Sequence, residues 1–243
     1  MRTVFFVIVM MMAALTTAAQ DVVKRDVIAT SQGDLEIFFI GHASLMMTFG
    51  GKIIHVDPYG KMGNYWTLPR ADLVLFTHDH NDHFDLDALQ KIQQQETVVI
   101  LPPICSDRVP EGWIMTNGES LSVLGIHIQA VPAFNVVQRR DNGELYHPPG
   151  IGNGYVLTFA DRRIYIAGDT ENIAAMKSLK HIDCAFLPMS PPSTMTPAMA
   201  ADAARTIKPK ILYPYHTKDT DPQDLVALLR DMPEVEVRTR RMR

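Results

Sequence analysis

Cysteine is scarce, with two residues in a chain of 243. So small a count excludes a disulfide framework, and it permits one bridge without demanding it. Cys105 follows Leu101-Pro102-Pro103-Ile104 and Cys184 sits in an apolar run, so both are read as separate buried thiols. An excess of positive charge is also missing. The net charge is −4, which gives the whole surface no electrostatic case for binding nucleic acid. Arg238, Arg240, Arg241 and Arg243 at the end of the chain are read as a frayed basic terminus. There is no low-complexity linker and no repeat, so one domain is expected. Gly-x-Ser-x-Gly, a Ser-His-Asp set and a glycine-rich phosphate loop are all absent, which leaves serine-nucleophile and phosphate-loop chemistry without a carrier.

What is present describes an ordinary globular protein, 47% hydrophobic and 21% charged. A long apolar run occurs at the N-terminus, over residues 4–15, after Arg2 and before Thr16-Thr17-Ala18-Ala19-Gln20. A basic start, a short apolar segment and small residues at the cleavage positions describe a secretory signal peptide. The run is too short for a comfortable membrane span. Residues 1–19 are therefore expected to be removed after Ala19, leaving 20–243 as one exported domain, periplasmic or secreted, with no membrane attachment. An uncleaved anchor is the alternative.

Residues 35–40, 44–49 and 52–56 read as strands, with Gly50-Gly51 as a hairpin turn. Residues 85–95 read as a helix capped by Asp85 with Leu86, Leu89 and Ile92 on one face, followed by a strand at 97–101. Residues 120–131 and 155–160 read as long strands, and 162–167 follows across an Asp161-Arg162 turn. A buried strand at 182–187, a helix at 196–206 opening on Thr-Pro, a strand at 210–213 and a helix at 221–230 opening on Asp-Pro complete the chain. Two halves, each strand-rich and then closed by a helix, predict stacked sheets covered on both outer faces by helices. That is a four-layer αββα sandwich.

Between Thr77 and His83 the chain reads Thr77-His78-Asp79-His80-Asn81-Asp82-His83, three imidazoles and two carboxylates directly after the apolar run Leu73-Val74-Leu75-Phe76. The cluster should sit on the loop where a strand ends. His78 and His80 are two apart, so extended backbone puts them on one side, able to grip one cation. Asp82 and His83 follow at the turn, where a second cation could be held. Asp169, in Ala167-Gly168-Asp169-Thr170, and His216, ending Tyr213-Pro214-Tyr215-His216, also fall at strand ends. Gly168 would let the backbone come close there.

His78-x-His80-x-Asp82-His83, Gly168-Asp169-Thr170 and a strand-terminal His216 resemble the metallo-β-lactamase superfamily of metal-dependent hydrolases. The Gly41-His42-Ala43-Ser44 turn resembles that of its lactonase-like branch. The resemblance implies an αββα sandwich with two metals, usually zinc, at one edge of the sheets. By position, His78 and His80 would bind the first metal, Asp82, His83 and His216 the second, and Asp169 would bridge them. A third histidine for the first metal usually lies in a Pro-Ala-x-His segment, and here that segment is Pro132-Ala133-Phe134-Asn135. His147, in the following loop, is favoured to swing in; otherwise Asn135 or water fills the position. Asp57 fits a family position that hydrogen-bonds the histidine cluster. His42 is read as substrate-facing or structural. His55, His127 and His181 are read as surface or satisfied strand positions, and Asp79 and Asn81 as pointing away from the ligands.

Two ions sharing a water supply hydroxide at neutral pH and polarise a carbonyl or phosphoryl oxygen. Asp82 is the candidate catalytic residue, orienting the nucleophile or taking its proton. The expectation is hydrolysis of a small ester, lactone, amide or phosphoester, with zinc as cofactor and manganese or iron also compatible with the donors. The partner is a small-molecule substrate, and Arg139 and Arg140 beside His147 could attract an anionic one. A non-catalytic metal-binding or sensing protein and a redox di-iron protein are the alternatives.

Overall fold

The computed structural model describes residues 24–242. The expected signal peptide, 1–19, lies outside the described residues. Among those described, no helix is long and apolar enough to cross a membrane.

Two seven-stranded sheets are built in chain order and share one pattern. The first holds β1 (Arg25–Thr30), β2 (Gly33–Gly41), β3 (Ser44–Phe49), β4 (Lys52–Val56), β5 (Leu73–Leu75), β6 (Val98–Leu101) and β7 (Trp113–Ile114). The second holds β8 (Ser120–Val123), β9 (Ile126–Ala133), β10 (Gly152–Phe159), β11 (Arg162–Ile166), β12 (Cys184–Pro188), β13 (Ile211–Tyr215) and β14 (Glu236–Val237). In each sheet the first four strands pair antiparallel and the rest run parallel to the fourth. Antiparallel neighbours need only tight turns, whereas the parallel ones need crossovers, which is where the helices sit.

Alternation sets the inner layer. Leu35, Ile37 and Phe39 of β2 and Ile54 and Val56 of β4 face Ile126, Ile128, Leu157, Ile164 and Phe186 of the other sheet in one buried core. The outer face of the first sheet is covered by α1 (Leu86–Ile92) through Ala88, Leu89 and Ile92, with Phe84 just ahead of the helix. The outer face of the second is covered by α2 (Pro197–Ile207) and α3 (Pro222–Leu228). The order of layers is therefore α, β, β, α, as the sequence implied.

Local signals explain the helix starts. Asp85 accepts from the amides of Asp87 and Ala88, Thr196 from Met199, and Asp221 from Gln223. Four sequence readings need correction. The first helix ends at Ile92 because Gln93 turns extended, at φ −69° and ψ 142°. The long strand expected at 120–131 is a hairpin, broken at Leu124-Gly125, both in the left-handed region at φ 53° and 77°. The β10–β11 turn is Ala160-Asp161, since Phe159 pairs with Arg162. The C-terminal stretch up to Met242 is anchored rather than frayed: Arg240 and Arg238 converge on Asp26 of β1, and Met242 is buried, while Arg243 lies outside the described residues. Burial alone would raise the Asp26 carboxyl, but hydrogen bonds from Arg240, Tyr213 and Arg238 hold it below the usual carboxylate range. Cys105 and Cys184 are both buried and unpaired, as expected.

Candidate metal centre

Parallel strands present their carboxyl ends on one side, and here four such ends from both sheets meet. Asp57 follows β4, the histidine cluster follows β5, Asp169 follows β11 and His216 follows β13. Gly168 makes the approach possible. It adopts φ 66°, and a Cβ there would lie 2.8 Å from the Asn153 carbonyl oxygen.

Asp57 organises the first strand end. Its Oδ1 accepts the Thr77 amide at 2.8 Å, and its Oδ2 accepts the Thr77 hydroxyl at 2.7 Å and His83 Nδ1–H at 2.8 Å. With its proton committed to Asp57, the Thr77 hydroxyl accepts from His78 Nδ1–H at 3.0 Å. Both rings are thus fixed with Nε2 turned away from these partners, and the tautomer follows from the network.

A comparable relay holds His147. Asn135 Oδ1 accepts His147 Nδ1–H at 2.7 Å and the His147 backbone amide at 2.9 Å. Asn135 Nδ2 donates to Glu171 Oε1 at 3.2 Å and to the Ser193 carbonyl at 3.0 Å. Glu171, itself buried, accepts three consecutive backbone amides: Val136 and Val137 on Oε2 at 2.9 and 2.8 Å, and Gln138 on Oε1 at 2.7 Å. Burial opposes its ionised form, yet these donors hold its pKa below the ordinary value. The two candidates for the missing position therefore work together. His147 reaches the site and Asn135 orients it.

Two groups of ligand atoms result, each drawn together within 4.8 Å: His78, His80, His147 and Asp169, and His42, Asp82, His83 and His216. Asp169 stands between them. Its Oδ2 lies 3.4 Å from Nε2 of His147, 3.4 Å from Nε2 of His216 and 4.0 Å from Nε2 of His78, while its Oδ1 is 3.4 Å from Nε2 of His83. His80 Nδ1 is 3.2 Å from His147 Nε2. Nε2 of His78, His83 and His216 and Oδ1 of Asp169 are buried without any hydrogen-bond partner. So many orphaned polar atoms gathered about Asp169 are costly unless cations take them, and imidazole with carboxylate suits a borderline divalent metal.

Protonation agrees. Burial, with neighbouring imidazoles, drives His78 and His216 well below the ordinary histidine value and His147 to about 3. His80 is lowered mainly by burial as well. These rings stay neutral at pH 7 with electron pairs available. His83 differs: burial lowers it, but Asp169, Asp57 and Asp82 outweigh that and raise it to about 9. Burial raises Asp169 to about 6. For Asp82 burial also acts upward, but the His42 hydrogen bond and the charges of His83 and His216 hold it well below the usual range.

A cavity of about 50 Å³ opens on the first group, lined also by Asp79, Tyr146, Pro148 and Ile151. Asp79 borders this cavity but belongs to neither ligand group, while Asn81 is exposed. Arg140 stacks on the Tyr146 ring at 4.9 Å, whereas Arg139 is tied to the Gly143 carbonyl at 3.0 Å. His127 and His181 are exposed, and His55 is buried with Nε2 hydrogen-bonded to the Pro69 carbonyl at 3.1 Å. Sequence reasoning missed Glu171 and left the part played by His42 open. The acceptor role of Glu171 depends on a loop more than thirty positions away, for which no local pattern exists.

A family model described as the beta-lactamase superfamily domain matches residues 36–216. A UPF0173 metal-dependent hydrolase of Ligilactobacillus salivarius is 31% identical over 214 residues, covering 82% of this chain and 94% of its own. Another, from Geobacillus sp., is 29% identical over 215 residues, covering 81% and 94%. A crystal structure from Parabacteroides distasonis, named as a metal-dependent hydrolase, superposes with a TM-score of 0.87 at 43% identity, covering 91% of this chain and 100% of that one. The matched span takes in every residue of both ligand groups, and the chain belongs to the β-lactamase superfamily, with the metallo-β-lactamase fold.

Proposed function

We propose that the protein is a hydrolase that uses two divalent cations, zinc by preference, to cleave a small ester, lactone, amide or phosphoester. The observation that carries this reading is the pair of ligand groups joined by Asp169, with Nε2 of His78, His83 and His216 and Oδ1 of Asp169 buried and unpartnered among them. His78, His80 and His147 would hold the first ion, Asp82, His83 and His216 the second, and Asp169 both. When bound, such ions supply Lewis acidity, lowering the pKa of a shared water and polarising the scissile bond.

The chain's own residues do the rest. Asp57 and Asn135 fix the tautomers of His83 and His147, so that each presents Nε2. Asp82 remains ionised, which suits it to binding and to orienting water as a hydrogen-bond acceptor. Tyr146, Pro148 and Ile151 wall the cavity and limit it to a small reacting group. Arg140, held over Tyr146, places positive charge at the mouth and favours substrates with an anionic part.

The test is metal content by mass spectrometry on protein purified without added metal, beside His147→Ala. About two equivalents of zinc, falling toward one in the variant, supports the reading. One equivalent or fewer in both proteins refutes it, and iron in place of zinc moves the assignment to redox chemistry.

A further inference from the structure

His42 is built into the second ligand group more firmly than a substrate-facing or structural residue needs to be. It sits at φ 55°, a left-handed conformation that costs a non-glycine residue on the order of 1 kcal/mol, and it is buried. Its carbonyl accepts the His216 backbone amide at 2.9 Å, so the turn that carries it also places His216. Its ring lies against His216 at 3.9 Å between centroids and 5.8 Å from His83. Its Nε2 is 3.0 Å from Asp82 Oδ2. That separation fits a hydrogen bond, and it equally fits two donors sharing one cation.

The surroundings of the two groups differ. The cavity is lined by all four members of the first group and by none of the second. With His42 counted, the second group has three imidazoles and Asp82, in addition to Asp169 at its border.

We propose that His42 is a fourth protein ligand of the second cation position, so that the two positions are unequal. The second is held by His42, Asp82, His83 and His216 besides Asp169 at its border, and retains its ion. The first faces the cavity, exchanges its ion more readily and is where substrate arrives. This rests on the two-cation reading above.

The experiment is dialysis of the fully loaded protein against a mild chelator, followed over time by mass spectrometry, for the wild type, His42→Gly and His42→Gln. Glycine accepts the left-handed backbone without strain, so His42→Gly keeps the turn. Gln keeps a donor for Asp82. The wild type is expected to lose one equivalent quickly and keep the other. Both variants should lose the second more than about 100-fold faster, beyond the roughly 10–100-fold expected when only a supporting partner of a ligand is removed. Millimolar imidazole should slow that loss in His42→Gly by filling the space left. If His42→Gln retains the second ion like the wild type, His42 serves Asp82 only as a donor and the proposal fails.

A second measurement needs no variant. Wild type carrying one equivalent of cobalt(II) should show three paramagnetically shifted, exchangeable imidazole N–H signals, from His42, His83 and His216. Two signals overturn the proposal while leaving the two-cation reading intact. A wild type that binds no divalent cation overturns both.

Discussion

Replacing Glu171 by Gln tests whether a carboxylate outside both ligand groups sets the first one. Each oxygen of Glu171 accepts two N–H donors: Val136 and Val137 on one, Gln138 and Asn135 Nδ2 on the other. Glutamine preserves shape but turns one oxygen into an NH2. Whichever way the amide faces, it sets a donor against two donors and loses two hydrogen bonds to an ionised acceptor. At about 1.5–3 kcal/mol each, the loss is about 3–6 kcal/mol, a large part of a typical domain's stability. Because Asn135 is oriented by Glu171 and His147 by Asn135, the first cation position should also weaken, by roughly 10–100-fold. Urea unfolding of the metal-free variant measures the first effect, and competitive metal titration the second. A stability change below about 1 kcal/mol, or equal weakening of both cation positions, refutes the relay. The double variant with Asn135→Ala should lose less than the sum of the single changes, since the two side chains act as one unit.

Three other outcomes follow from the geometry. In the metal-free protein, His147 has its folded pKa lowered to about 3 from 6.5, so the unfolded chain binds the proton more readily and stability falls as pH drops below 6.5, by about 2 kcal/mol at pH 5 from this residue alone. His83, raised to about 9, contributes stability that is complete below 6.5 and lost as pH rises through 9; urea midpoints at pH 5, 6.5 and 9 in chelator should therefore peak in the middle, and a monotonic trend refutes the assignment. Gly168→Ala puts a Cβ 2.8 Å from the Asn153 carbonyl at φ 66° and should cost roughly 2 kcal/mol or more by thermal unfolding, with reduced metal content; an unchanged melting temperature would show that the approach is not tight. Arg140→Ala should raise KM for anionic substrates several-fold with kcat nearly unchanged, and a steady-state comparison of charged and neutral esters that shows no difference removes Arg140 from recognition.

Much of this architecture can be read from short stretches of chain, because it depends on short-range geometry. His78-x-His80-x-Asp82-His83 after Leu73-Val74-Leu75 fixes both the strand end and the side on which the rings fall. Gly50-Gly51 and the Asp85, Thr196 and Asp221 caps likewise act within a few residues. What could not be read depends on distant partners. Glu171 meets amides 33 to 35 positions away, and Arg240 meets Asp26 across 214. The hairpin at Leu124-Gly125 was local but hidden, since leucine gives no hint of a left-handed backbone until its neighbour is known to turn. His42 combines both difficulties: a left-handed histidine, with its meaning supplied by Asp82 and His216.

The two sheets share one strand pattern, and their parallel strands end on the same side. Every donor of the centre is therefore fastened to one sheet or the other at its rim, and an ion held there rivets the rim shut. A cross-link from His83 to His216 closes a loop of more than half the chain, worth roughly 5 kcal/mol in chain-entropy terms. Without it, the rim is where the sandwich gapes first. The Asn153 amide, bonded to the Thr77 carbonyl across the two sheets at 2.8 Å, is the natural reporter, with slow hydrogen exchange when the rivet is in and faster exchange when it is drawn.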